Sequence, residues 1–259
     1  MEELNRLRGQ LELCDDMILD ALKLRYRIVE DITLYKHEHN APIVHLDEDA
    51  RKIAHAKERL ENERYKDAIL SVYESIRFRS KYIQSVNLFD CNIFLIGFMG
   101  AGKSTISSTL HDVFAMDVIE MDQLISERNG MSISEIFAAN GEEYFRNEET
   151  NLLIEIQSRK NVIISCGGGV PMRDVNVQEM KKSGKIVLLT ASPETILNRV
   201  KESHDRPLLE NNKNVEFIAD LMEKRKPRYE AAADIIINTD NKSAVQICEE
   251  VITSVKKSL

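Results

Sequence analysis

The chain has 259 residues and a formal net charge of −8, with 15 Lys plus Arg against 17 Asp plus Glu in residues 1–85 and therefore 20 against 26 in the remainder. Neither part carries the concentrated positive field that a nucleic-acid or membrane-surface partner requires, which points to small-molecule partners. Cys14, Cys91, Cys166 and Cys248 form no CxxC pair and are expected to be buried fillers. With no apolar run of membrane-spanning length and a charged start, the expectation is a cytoplasmic protein.

A prior of roughly 150 residues per domain suggests two domains. Their punctuation differs: of ten glycines only Gly9, and of five prolines only Pro42, precede residue 86. The expected division is an all-α three-helix, dimer-forming domain over 1–87 and an α/β domain over 92–259. Apolar residues at Leu4, Leu7, Leu11, Cys14, Ile18, Ala21, Ile28, Ile32 and Tyr35 step by threes and fours, predicting one long helix that ends near Asn40, before Pro42. A second helix is expected from Asp47, acting as its cap, to about Asn62. A third runs from about Tyr65 to Val86, with Ile69, Val72, Ile76 and Ile83 on one face. Three helices so unequal close a poor core, so the long one is expected to pack against a second copy of itself, giving a homodimer.

After residue 91 short apolar runs alternate with helical stretches, the pattern of a parallel sheet. Five strands are expected, at 92–97, near 118–119, and at 162–166, 185–190 and 234–238. The first runs into Gly97-Phe98-Met99-Gly100-Ala101-Gly102-Lys103-Ser104, a GxxxxGK[ST] loop followed by a helix from Thr105. In such a loop backbone N–H groups curl around a β-phosphate, the lysine reaches the β- and γ-phosphates, and the Ser104 hydroxyl can hold a magnesium ion. Asp122, after the second strand, has the chemistry of a group that orients an acceptor hydroxyl and takes its proton. Phe145-Arg146 and Arg225-Lys226-Pro227 are each expected just after a helix, Gly167-Gly168-Gly169 closes the third strand, and Arg206-Pro207-Leu208-Leu209 lies in a polar loop.

With these motifs at these spacings, residues 92–259 resemble the shikimate kinase family. The resemblance implies an ATP- and Mg2+-dependent P-loop kinase domain with a five-stranded parallel sheet and shikimate as acceptor. It implies nucleotide binding by Gly100, Ala101, Gly102, Lys103, Ser104 and Thr105, with Arg199 near the adenine and Arg206 on a mobile lid over the phosphates. It also implies that Asp122 binds the ring hydroxyls, Arg146 and Arg225 clamp the carboxylate, Gly167, Gly168 and Gly169 line the acceptor site, and Ser104 and Glu120 lie at the metal. Guanidinium forks suit a carboxylate, and glycines permit close backbone approach. Glu120 departs from the usual Asp by one methylene. A kinase for another acceptor, such as a sugar acid, is the alternative on this half.

In the first helix the apolar seam is interrupted by Arg25, and a cation in a seam is costly unless paired. Lys36, eleven residues on, returns to nearly the same face about 16 Å away, whereas Arg8 lies roughly 25 Å from Arg25 and about 100° round the helix. Ser80 and Gln84 interrupt the third helix one turn apart. This set, with Pro42-Ile43, resembles the all-helical chorismate mutases over residues 1–87. That resemblance implies a dimer in which Arg8 of one chain and Arg25 of the other hold the carboxylates of chorismate. Lys36 and Gln84 would bond the breaking ether oxygen, and Asp49 and Ser80 would contact substrate. Here His45, Glu48 and Asp49 replace the family's acid, arginine and glutamate. The alternative is a catalytically silent dimerisation or regulatory ligand-binding arm on a kinase.

Overall fold

The computed structural model describes residues 1–39, 41, 46–88, 90–200 and 214–259, with backbone alone at 37, 46 and 47. Arg206, His45 and the Pro42-Ile43 pair therefore lie outside the described residues. The chain divides into two compact units, Met1–Leu88 and Phe89–Leu259.

The first unit is three helices, α1 (Glu2–Glu38), α2 (Leu46–Arg59) and α3 (Lys66–Leu88). α2 begins one residue before Asp47, which therefore lies inside its first turn and is not its cap. α1 packs on α3, and Val29 and Thr33 are its buried positions. Thr33 stays buried because its hydroxyl donates to the Val29 carbonyl at 2.8 Å. The α1 seam otherwise faces outward in the single chain: Leu4, Leu7, Leu11, Ile18, Ile28 and Ile32 are 42–61% exposed. The expected apolar face of α3 is corrected at Ile69 and Val72, which are exposed, whereas Leu70, Ser80, Ser85 and Leu88 are buried. Cys14 is likewise exposed on the outward side of α1, while Cys166 and Cys248 are buried.

The second unit contains β1 (Asn92–Ile96), α4 (Lys103–Phe114), β2 (Asp117–Glu120), α5 (Met121–Asn129), α6 (Ile133–Glu155), β3 (Val162–Ser165) and α7 (Asp174–Ser183). It continues through β4 (Gly184–Thr190), α8 (Pro193–Val200), α9 (Val215–Ala232), β5 (Ile235–Asn238) and α10 (Ala244–Lys257). The five strands are all parallel, in the order β2-β3-β1-β4-β5. Parallel strands covered on both faces read as continuous apolar runs, and Ile93, Phe94, Leu95 and Ile96 are all fully buried. Each such side chain contributes roughly 1.5–3 kcal/mol. Asn92 starts the central strand: its amide donates to the Arg159 carbonyl at 2.8 Å, and its oxygen accepts from Val162 N–H at 3.1 Å.

β1 lies between β3 and β4, so the connections leaving β1 and β3 diverge to opposite sides of the sheet. An open α/β sheet forms its crevice at such a switch, outside the carboxyl ends of its strands. Two helix assignments change. Arg225 and Pro227 lie inside α9, which continues to Ala232. Phe145-Arg146 lies inside α6, just past the break at Gly141, where φ is 84° and ψ is 162°. Ser132 starts that helix with a reciprocal cap to Glu135.

No described helix is long and apolar enough to cross a membrane.

Candidate functional site

At the carboxyl ends of the strands a cleft of about 960 Å³ is lined by Lys103, Ser104, Glu120, Asp122, Arg146, Glu149, Gly167, Gly168, Gly169 and Arg225, among others. One wall is the turn from β1 into α4. Gly100 has φ 78°, and a Cβ there would stand 2.7 Å from Val200 Cγ1, so both conformation and space call for glycine. Gly102 and Ala101 complete the turn, and Thr105 is exposed in the first turn of α4. Lys103 Nζ donates to the Gly97 and Phe98 carbonyls at 3.0 and 3.3 Å. Arg199 braces the loop from behind, donating to the carbonyls of Gly100 (3.2 Å) and Ala101 (3.3 Å) and to Thr239 Oγ1 (3.0 Å).

Glu120 ends β2 beside this loop. Its Oε2 accepts from Ser104 Oγ at 3.1 Å, and its Oε1 accepts from the buried Ser107 hydroxyl. The longer carboxylate is thus tied to the first turns of α4 at two points. A hydroxyl and a carboxylate are hard oxygen donors, which fits a Mg2+-type ion bound mainly by phosphates and water. Ser107 is a residue that motif reading missed; the signal available was its position one helical turn after Ser104.

The opposite wall is built around the triple glycine after β3. A Cβ at Gly167 would collide with Asp122 Oδ1, and one at Gly169 would collide with the Arg146 guanidinium. From Gly168 a Cβ would look onto Tyr229 Oη at 3.6 Å and Arg225 Nη1 at 3.7 Å. Asp122 in the first turn of α5, Arg146 on α6 and Arg225 on α9 are therefore gathered on one short backbone segment. Tyr229 Oη donates to the Gly168 carbonyl at 2.7 Å, fixing the segment to α9. The Arg225 guanidinium lies 6.0 Å from the Phe98 ring centre, and Arg146 packs 5.5 Å from that of Phe145.

Sequence reading also missed Glu149, three residues after Arg146. Its side chain is fully buried, and Oε2 accepts from Arg146 Nη1 at 2.9 Å, while Oε1 has no hydrogen-bond partner among the described residues. Burial pushes its carboxyl up from the usual 4.5 to about 7, with Arg146 opposing the rise. Burial alone would lower the Arg146 pKa, but Glu149 and Glu142 outweigh it and raise it. A carboxyl raised on folding holds its proton better in the folded chain, so between about pH 4.5 and 7 it makes stability fall as pH rises. Glu149→Gln is expected to remove up to about 3 kcal/mol of that pH-dependent change. Denaturant melts at steps between pH 4.5 and 7.5 measure it; wild-type and variant curves of identical slope would refute the assignment.

In the helical unit, Arg25 Nε donates to Ser80 Oγ at 3.2 Å, bringing α1 and α3 together at two of the expected positions. Gln84 is half-buried one turn beyond Ser80. The Lys36 pKa is lowered, chiefly by burial, with Glu48, Lys52 and Asp49 as its charged surroundings. Arg8 is exposed, seventeen residues before Arg25 on α1, and the single chain does not bring it to this cluster. Glu48 pairs with Lys52 at 2.7 Å. Asp49 bridges to α3, meeting Arg77 at 2.6 Å and Lys81 at 3.1 Å.

A parallel sheet of this order, a phosphate loop entering α4, and a carboxylate gathered with two arginines on one glycine segment of the cleft define a P-loop phosphotransferase. The chain belongs to the shikimate kinase family: residues 99–256 match the family model "Shikimate kinase". Residues 7–85 match a second model, "Chorismate mutase type II". The shikimate kinase of Dehalococcoides mccartyi strain BAV1 is 43% identical over 64% of this chain and 94% of its own length. Among solved structures, shikimate kinase from Acinetobacter baumannii in complex with shikimate is 32% identical, with a TM-score of 0.59 over 63% of this chain and 91% of that one. Shikimate kinase from Bacteroides thetaiotaomicron is 32% identical, with a TM-score of 0.58 over 65% and 98%.

Proposed function

We propose that the chain transfers the γ-phosphoryl group of ATP to the 3-hydroxyl of shikimate, and that its helical unit converts chorismate to prephenate. The observation that carries the first reading is the meeting of Arg146, Arg225 and Asp122 on Gly167-Gly168-Gly169, across the cleft from Lys103. The guanidinium groups take the shikimate carboxylate and so point a ring hydroxyl at Asp122. Asp122 accepts the hydroxyl proton as the oxygen forms its bond to the γ-phosphorus and the bond to the β–γ bridging oxygen breaks. Loop amides and Lys103 stabilise the charge gathering on that bridging oxygen, and Arg206 would supply a second cation to the phosphoryl group. Mg2+ held by Ser104 and Glu120 would neutralise charge on the β- and γ-oxygens. Glu149 holds Arg146 in position.

Arg146→Ala and Arg225→Ala should each raise KM for shikimate about 10- to 100-fold, the cost of a hydrogen bond to a charged group, and leave KM for ATP within about threefold. Coupled ADP-release kinetics measure both. An acceptor without a carboxylate would be indifferent to the two changes, so an unchanged KM would exclude shikimate.

For the helical unit, the rearrangement is unimolecular and needs no acid or base, only a compact substrate conformer and cations facing developing negative charge. Arg25, with Arg8 of a second copy, would hold the carboxylates, while Lys36 and Gln84 bond the ether oxygen as its bond to carbon breaks. Ser80 keeps Arg25 oriented. The exposed α1 stripe supports the homodimer this requires. Glu48, an anion in an anion site, favours a second reading in which the helices bind ligand without turning it over. A chorismate-disappearance assay run beside the kinase assay on one sample separates the two.

A further inference from the structure

Ser107 is fully buried on α4, one turn beyond Ser104, and both belong to the wall of the phosphate cleft. A buried serine in a helix can satisfy itself by donating back to a carbonyl of its own helix. Ser107 has that option, since its Oγ lies 3.0 Å from the Ser104 carbonyl oxygen. It also contacts Glu120 Oε1. A hydroxyl carries one proton and gives it to one acceptor at a time. A carboxylate is the stronger acceptor of the two, and a carbonyl in the first turn of a helix already accepts from the N–H four residues on. The Ser107 proton therefore goes to Glu120.

Glu120 reaches α4 from the end of β2, where the ladder pairs it with Ser165 of β3 and so fixes its backbone. Its two carboxylate oxygens are divided between the two serines: Oε1 takes the Ser107 hydroxyl, and Oε2 takes that of Ser104 at 3.1 Å. Ser107 is buried and Ser104 is exposed, so one oxygen is engaged inside the protein and the other is held at the cleft. A carboxylate free to rotate offers a hard cation either oxygen or both, whereas one tied at Oε1 offers Oε2 alone. Ordering a ligand before the ion arrives removes the cost of ordering it on binding. An aspartate on the same backbone would fall short by one C–C bond, about 1.5 Å, and could not span both hydroxyls.

We propose that Ser107 is a positioning residue of the metal site: it pins one oxygen of Glu120 inside the protein and thereby fixes the other, beside Ser104, as the one the ion uses. The inference rests on the kinase reading, in which Ser104 and Glu120 hold Mg2+. It adds which oxygen of Glu120 serves, and why a glutamate suits the position.

The test uses the full chain with ADP as the probe. Calorimetry gives the ADP Kd with and without Mg2+, and the ratio of the two reads how well the site holds the ion, because the affinity of Mg2+ for free ADP is the same for every variant. In Ser107→Ala the tightening of ADP by Mg2+ should fall about tenfold, the usual effect of removing a group that orients a metal ligand. The Kd for metal-free ADP should stay within twofold. Alanine is the strongest helix former and only one oxygen is removed, so α4 should remain folded, as circular dichroism checks. A hydroxyl that served packing alone would change the melting temperature and leave the Mg2+ effect as in wild type. Glu120→Asp should also weaken the Mg2+ effect, and adding Ser107→Ala to it should change that effect less than twofold. The inference is overturned if Ser107→Ala keeps the Mg2+ effect within threefold of wild type, or lowers it equally in the Glu120→Asp background. A wild-type chain that turns over shikimate but binds ADP equally with and without Mg2+ overturns it as well. A wild-type chain that neither binds ADP nor turns over shikimate overturns the kinase reading and this inference together.

Discussion

Asp122→Asn is expected to lower kinase kcat about 10²- to 10⁴-fold, the usual contribution of a positioned general base. Asparagine keeps the size and one hydrogen-bonding oxygen of the carboxylate but cannot take a proton from the acceptor hydroxyl. Asp122 stands in the first turn of α5, and its Oδ1 occupies the space a Gly167 Cβ would need. That placement confines it opposite the phosphate loop, where an in-line acceptor must lie. KM for ATP should change little, since the substitution touches neither Lys103 nor the loop. Steady-state ADP release with shikimate measures the effect, and a kcat within threefold of wild type would remove Asp122 from the chemistry.

On the chorismate reading, Arg25→Ala should reduce mutase kcat/KM roughly 30- to 4,000-fold, about 2–5 kcal/mol, because it takes a hydrogen-bonded cation from the anion site proposed for the helical unit. Ser80 would lose its Arg25 bond but keeps its donation to the Ile76 carbonyl at 2.9 Å, so α3 should remain folded. Kinase turnover in the same sample should be unchanged, because Arg25 belongs to the other compact unit. A variant that retains full mutase activity would show that the seam arginine serves packing alone.

The two halves were not equally legible. The parallel sheet and its five strands could be read from residue patterns, because period and punctuation are local, whereas both families were legible only through the resemblance of their motifs to known ones. The misreadings have identifiable causes. Pro227 looked like the residue after a helix because proline disfavours helical interiors, yet α9 carries it internally. The pattern places Phe145-Arg146 just after a helix, yet past the break at Gly141 the helix resumes and carries both, since a lone glycine in a helical pattern does not show whether the helix stops or only kinks. Ile69 and Val72 matched a helical face but remain 41% and 60% exposed in the single chain.

What the sequence determined by itself is what a few contiguous residues can impose: the phosphate loop between strand and helix, the glycines that permit its turn, the helical period, and the charge balance. Only the tertiary structure decided that Arg146, Arg225 and Asp122 meet on one glycine segment, that Glu149 is buried with Arg146, and that Asp49 turns to Arg77 and Lys81. Backbone conformation is set by near neighbours, but burial and the partnering of charges depend on which distant elements the topology brings together. Those meetings govern desolvation, and desolvation governs what a charged side chain can do.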